Sequence, residues 1–105
     1  MVRRYVLVKV LSDNRMSADQ FNEVLTQSVR KSFGEIGYVG VNPKLIRFDA
    51  DRSEAIVACE RGRVTELQTA LALTTDSFGA KIALVTLHIS GTIKGLRRRK
   101  GTRRS

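Results

Sequence analysis

Residues 44–60, Lys-Leu-Ile-Arg-Phe-Asp-Ala-Asp-Arg-Ser-Glu-Ala-Ile-Val-Ala-Cys-Glu, read as two strands back to back. Asp51-Arg52-Ser53 is a tight-turn composition, and a connection that short forces the flanking segments to pair as a hairpin. In the first strand Ile46, Phe48 and Ala50 alternate with Leu45, Arg47 and Asp49. Its partner, Glu54 to Glu60, is rich in small and β-branched residues. A hairpin in the middle of a 105-residue chain decides the fold once its flanks are read.

Before it, residues 4–11, Arg-Tyr-Val-Leu-Val-Lys-Val-Leu, read as a strand. Ser17 and Gln20 have the spacing of a capping box, and Phe21, Val24, Leu25, Ser28, Val29 and Phe33 follow at helical spacing. The pattern predicts a helix over 18–33, stopped at Gly34 or Gly37. Residues 37–43 then read as a loop closed by Pro43. After the hairpin, Val64, Leu67, Ala70 and Leu71 mark a second helix within 62–74, and residues 81–90 alternate as a last strand. The order βαββαβ gives an α+β fold. It is the ferredoxin-like, RNA-recognition-like sandwich, a four-stranded antiparallel sheet with both helices on one face and strands one and three central.

Residues 1–93 form this single domain, and 94–105 form a basic tail expected to be flexible. The tail holds seven of nineteen Lys and Arg and no carboxylate. Of the net charge of +9, the body keeps +2, since nine less seven is two. Concentrated positive charge points to a polyanion. Lys94, Arg97, Arg98, Arg99, Lys100, Arg103 and Arg104 are therefore the first nucleic-acid contacts to consider, and Arg favours bidentate phosphate binding. One Cys and one His argue against a protein-built zinc site, and Cys59 reads as a buried strand residue. Neither a signal-peptide pattern nor an apolar run long enough for a membrane span is visible, so a cytoplasmic location and no membrane partner are expected.

If both helices cover one sheet face, the other is open. Alternation assigns to it Tyr5, Leu7, Lys9, Leu45, Arg47, Ile56, Leu84, Thr86 and His88. That face is too apolar for ordinary solvated surface, which makes Tyr5, Leu7 and Leu84 candidates for a protein contact. The third strand, Ala55-Ile56-Val57-Ala58-Cys59, has no aromatic residue on which to stack a base. Phosphate binding is the chemistry that remains. No catalytic residue is assigned, because no carboxylate is placed to orient His88. The loop Ser12-Asp13-Asn14-Arg15-Met16 also lacks the glycines that phosphate-cradling enzymes of this fold carry there. Asp49 and Asp51 read as turn residues.

The strand end Leu87-His88-Ile89-Ser90-Gly91-Thr92-Ile93-Lys94 resembles the C-terminal signature of ribonuclease P protein component 2, an archaeal family. It is homologous to a small eukaryotic subunit shared by ribonuclease P and the mitochondrial-RNA-processing ribonuclease. Arg4-Tyr5-Val6-Leu7 is similar to the family's opening, and Ile46-Arg47-Phe48 with Ile56-Val57 is similar in placement. The resemblance implies a noncatalytic ribonucleoprotein subunit in tRNA processing. Ribonuclease P RNA, with magnesium, would cut the 5′ leader from precursor tRNA, which the protein meets only indirectly. The protein itself would bind no cofactor. Component 3 and other ribonuclease P proteins are the implied partners, and family members can self-associate by joining two such pairs. Within the signature, Gly91 would permit a close backbone approach, while His88, Ser90 and Thr92 could donate to phosphates. The competing reading, from another class, is a small-molecule-binding regulatory domain of the same fold.

Overall fold

The computed structural model describes residues 3–12, 15–77 and 80–93. Its elements are β1 (Arg3–Ser12), α1 (Ala18–Val41), β2 (Lys44–Asp49), β3 (Glu54–Glu60), α2 (Val64–Ala72), β4 (Asp76–Ser77) and β5 (Ala80–Ser90). A 3-10 turn, Arg61–Arg63, leads into α2. The antiparallel sheet has the order β2-β3-β1-β5-β4, with β1 and β3 central among the four long strands as expected. The two-residue strand β4, which the sequence pattern does not mark, pairs with the start of β5.

Alternation in β1 sends Val6, Val8 and Val10 into the core beneath the helices. They meet Phe21, Val24, Leu25 and Val29 of α1 and Leu67, Ala70 and Leu71 of α2. Phe21 lies 5.4 Å from Phe48 of β2, centroid to centroid, tying the helix to the edge strand. Each such buried side chain contributes roughly 1.5–3 kcal/mol of transfer free energy. The capping box forms as read: the Gln20 N–H donates to Ser17 Oγ at 3.2 Å, and the Ser17 N–H donates to Gln20 Oε1 at 3.0 Å.

Residues 37–41, read above as loop, are helical. The chain breaks at Gly34, whose φ of 73° and ψ of −176° interrupt α1, and then resumes as a further helical segment ending at Val41. Asn42 caps it in the left-handed conformation, donating its N–H to the Tyr38 carbonyl at 2.8 Å. Gly37 and Gly40 do not end the helix because packing outweighs their low propensity. Val41 is fully buried and Tyr38 packs on the core, while Arg30 stacks on the Tyr38 ring at 4.4 Å and pairs with Glu35 at 2.9 Å. The backbone at Gly34 lies in a region open essentially to glycine alone. Gly34→Ala is therefore expected to cost about 1–3 kcal/mol, or roughly 4–8 °C of melting temperature per kcal/mol. A thermal melt indistinguishable from the parent would contradict this kink.

The hairpin turn rests on Asp49, whose Oδ1 accepts from the N–H groups of Asp51 and Arg52 at 3.1 and 3.2 Å. The turn role read for Asp49 is thus what the structure has. The Ser53 carbonyl accepts from the Val10 N–H at 2.7 Å, pinning the turn to the end of β1.

Two bulges change the face assignments. In the β1–β5 pairing, Leu7 faces His88 but Val8 faces Thr86, so Leu87 is extra. In β2, Leu45 faces Val57 but Arg47 faces Ile56, so Ile46 is extra. One inserted residue reverses the alternation beyond it. Leu45, Leu84 and Thr86, expected on the open face, consequently lie on the helix side. Leu84 is buried in the main core opposite Val10, and Leu45 packs against that core. Tyr5, Leu7, Lys9, Arg47, Ile56 and His88 are on the open face as read. Its centre is not bare, since Leu7 and Ile56 are buried among Tyr5, Leu87 and Ile93.

Candidate nucleic-acid interface

Antiparallel topology brings four chain positions to one end of the sheet. They are the start of β1, the start of β2, the end of β3 and the end of β5. Arg3, Arg4, Lys44, Arg61 and Arg63 stand there, against Glu60 and Glu66. Arg3 donates to the Asn42 carbonyl at 3.0 Å, and Arg63 donates to Glu66 Oε2 at 2.9 Å. At the opposite end positive charge is matched: Arg15 pairs with Asp51 at 2.6 Å and Arg52 with Asp49 at 4.0 Å. The body's small net charge thus conceals a division between a basic end and a balanced one.

The signature residues close β5 at the basic end. Ser90 sits opposite Tyr5, and its Oγ accepts the Thr92 N–H at 3.2 Å, shaping the turn out of the strand. A Cβ at Gly91 would lie 2.7 Å from Arg4 Nη1, the movable end of a flexible side chain. A Cβ on Gly40 would likewise lie 3.3 Å from Cζ and Nη2 of Arg63. His88 is half-buried on the open face opposite Leu7, not beside Arg4. After Gly91 the chain passes to the open face, where Ile93 packs near Leu7 and Ile56. Lys94, Arg97, Arg98, Arg99, Lys100, Arg103 and Arg104 lie outside the described residues.

Of the three partner-contact candidates, Tyr5 is half-buried on the open face, while Leu7 and Leu84 have almost no exposed surface. Among the described residues the large apolar side chains most exposed are instead Ile36 and Val39, on the helical segment read partly as loop. Cys59 is fully buried, and burial pushes its thiol up to about 11, with Arg3 pulling it down and Glu60 adding to the rise. Almost no reactive thiolate exists near neutrality, so Cys59 is a packing residue. No helix is long and apolar enough to cross a membrane among the described residues, nor do any three His, Cys, Asp or Glu residues group to hold a metal ion.

The fold and this site define a small α+β protein of ferredoxin-like topology with a cationic end. The chain belongs to the Rpp14/Pop5 family, whose model matches residues 4–100. Among similar proteins is the ribonuclease P protein component 2 of Pyrococcus furiosus, 34% identical over 92% of this chain and 81% of that protein. The protein of the same name from Pyrococcus horikoshii is 36% identical over 91% of this chain and 80% of its own length. That from Archaeoglobus fulgidus is 28% identical over 92% and 86%. A chain in the cryo-EM structure of yeast ribonuclease MRP shares the fold, with a TM-score of 0.72 at 13% identity, covering 96% of this chain and 92% of that one.

Proposed function

We propose that this chain is a noncatalytic protein subunit of ribonuclease P that binds and supports the catalytic RNA in 5′ maturation of precursor tRNA. The observation that carries the reading is family membership over residues 4–100, with relatives named as ribonuclease P protein components. The basic end supports the RNA-binding part, because Arg and Lys neutralise phosphates and release counterions. Cleavage then belongs to the RNA and its magnesium ions, and the protein contributes charge and shape. Pairing with component 3 and with other ribonuclease P proteins belongs to the same proposal.

The regulatory-domain reading would need a ligand cavity. A groove of about 620 Å³ runs between α1 and the end of α2, lined by Gln27, Ser28, Lys31, Leu73 and Thr74 among others. Its Ser28 and Thr74 hydroxyls bond each other at 2.6 Å, and the Thr74 hydroxyl donates to the Ala70 carbonyl at 3.0 Å. Nuclease footprinting of ribonuclease P RNA with the purified chain tests the proposal. Protection confined to the RNA's catalytic domain is expected, and no protection at low salt would refute it.

A further inference from the structure

We infer that the basic end of the sheet is itself an RNA-phosphate contact, separate from the tail, with Arg4 and Arg61 as its principal donors. This inference rests on the RNA-binding reading above and says which part of the folded body does the binding.

Three observations carry it. Among the described residues the ion pairs are Arg15–Asp51, Arg30–Glu35, Arg52–Asp49 and Arg63–Glu66. Arg4, Lys44 and Arg61 take part in none of them, although the opposite end of the sheet pairs its arginines. Lys9, Lys31, Arg47 and Lys81 take part in none either, but at this end five basic residues, Arg3, Arg4, Lys44, Arg61 and Arg63, stand against Glu60 and Glu66, which leaves a surplus of positive charge. Second, the Arg4 guanidinium lies over the bare backbone of Gly91, where an added Cβ would meet Nη1 at 2.7 Å. Its planar fork of donors matches two phosphate oxygens. Third, the strands bring these groups to the same end of the sheet. Arg4 faces Cys59 in register, and Arg61 opens the 3-10 turn that follows Glu60 at the end of the neighbouring strand. Lys44 begins the next strand over, level with Ala58.

The geometry also gives the Ser90-Gly91-Thr92 run a role that does not need its hydroxyls to touch RNA. Ser90 turns the chain, and Gly91 leaves room for Arg4.

The test uses the full chain and a ribonuclease P RNA transcript, with the binding constant followed against potassium concentration. Arg4→Gln with Arg61→Gln is expected to make the log–log slope shallower by about 1.4–1.8, the share of two phosphates. Arg15→Gln with Arg52→Gln, at the opposite end, is the control and should leave the slope unchanged. Melting curves for each variant confirm that the fold persists. An unchanged slope for the Arg4/Arg61 pair, in a parent chain that does bind RNA, overturns the inference while leaving RNA binding intact. Equal losses from both pairs overturn it too, since they would show that only total charge matters. Unaltered RNA affinity with lost binding to a protein subunit would assign this end to an acidic protein surface and likewise overturn it. Failure of the parent chain to bind RNA at all would instead refute the proposed function.

Discussion

Leu84→Asp is expected to leave the chain unable to fold stably. Leu84 is 7% exposed on the helix side of β5, opposite Val10 and beneath the helices. Removing it forfeits about 2–5 kcal/mol of packing, and the aspartate adds the cost of a buried carboxylate without a partner. A domain of this size has only about 5–15 kcal/mol of total stability. Circular dichroism should therefore show loss of the cooperative melt. Tyr5→Ala, on the half-buried open face, is expected to keep it. A native-like melt for Leu84→Asp would mean that β5 lacks the bulge at Leu87 and that Leu84 points to solvent.

This residue also shows where sequence reading succeeds and where it stops. Strand and helix order was legible because β1 alternates without interruption, the capping box has its spacing, and α1 carries an unbroken stripe to Phe33. The sheet order followed from the short hairpin turn and from the handedness of the crossovers. The bulges were not legible. Leu87 and Ile46 have neither glycine nor proline beside them, and nothing local marks an extra residue whose cause lies in the partner strand. An alternation counted from one end is therefore wrong beyond each bulge, as for Leu45, Leu84 and Thr86. The helical segment before Asn42 was hidden for a different reason, since two glycines obscured a helix held by Tyr38 and Val41. Of the candidate interface, the tail was legible from charge alone. The basic end was not, because Arg3, Arg4, Lys44, Arg61 and Arg63 are scattered in sequence and meet only through the sheet.

Truncation after residue 93 is expected to change RNA binding more than any single substitution. If the seven basic residues of the tail engage about four to six phosphates, they contribute a log–log salt slope of about −3 to −5. Raising potassium from 50 to 200 mM would then weaken the full chain by about 60- to 1,000-fold through the tail alone. The truncated chain should lose that steep component and keep the shallow one from the sheet end. Filter binding across that range reads both slopes. Identical slopes with and without residues 94–105 would remove the tail from the interface.

The central claim, that the chain supports an RNA catalyst and performs no cleavage itself, is tested most directly by reconstitution. Precursor-tRNA cleavage is measured with the cognate ribonuclease P RNA, magnesium and the partner proteins, with and without this chain. Faster 5′ processing is expected when the chain is added, and no processing when the RNA is left out. Cleavage by the protein without RNA, or a rate indifferent to its presence, would contradict it.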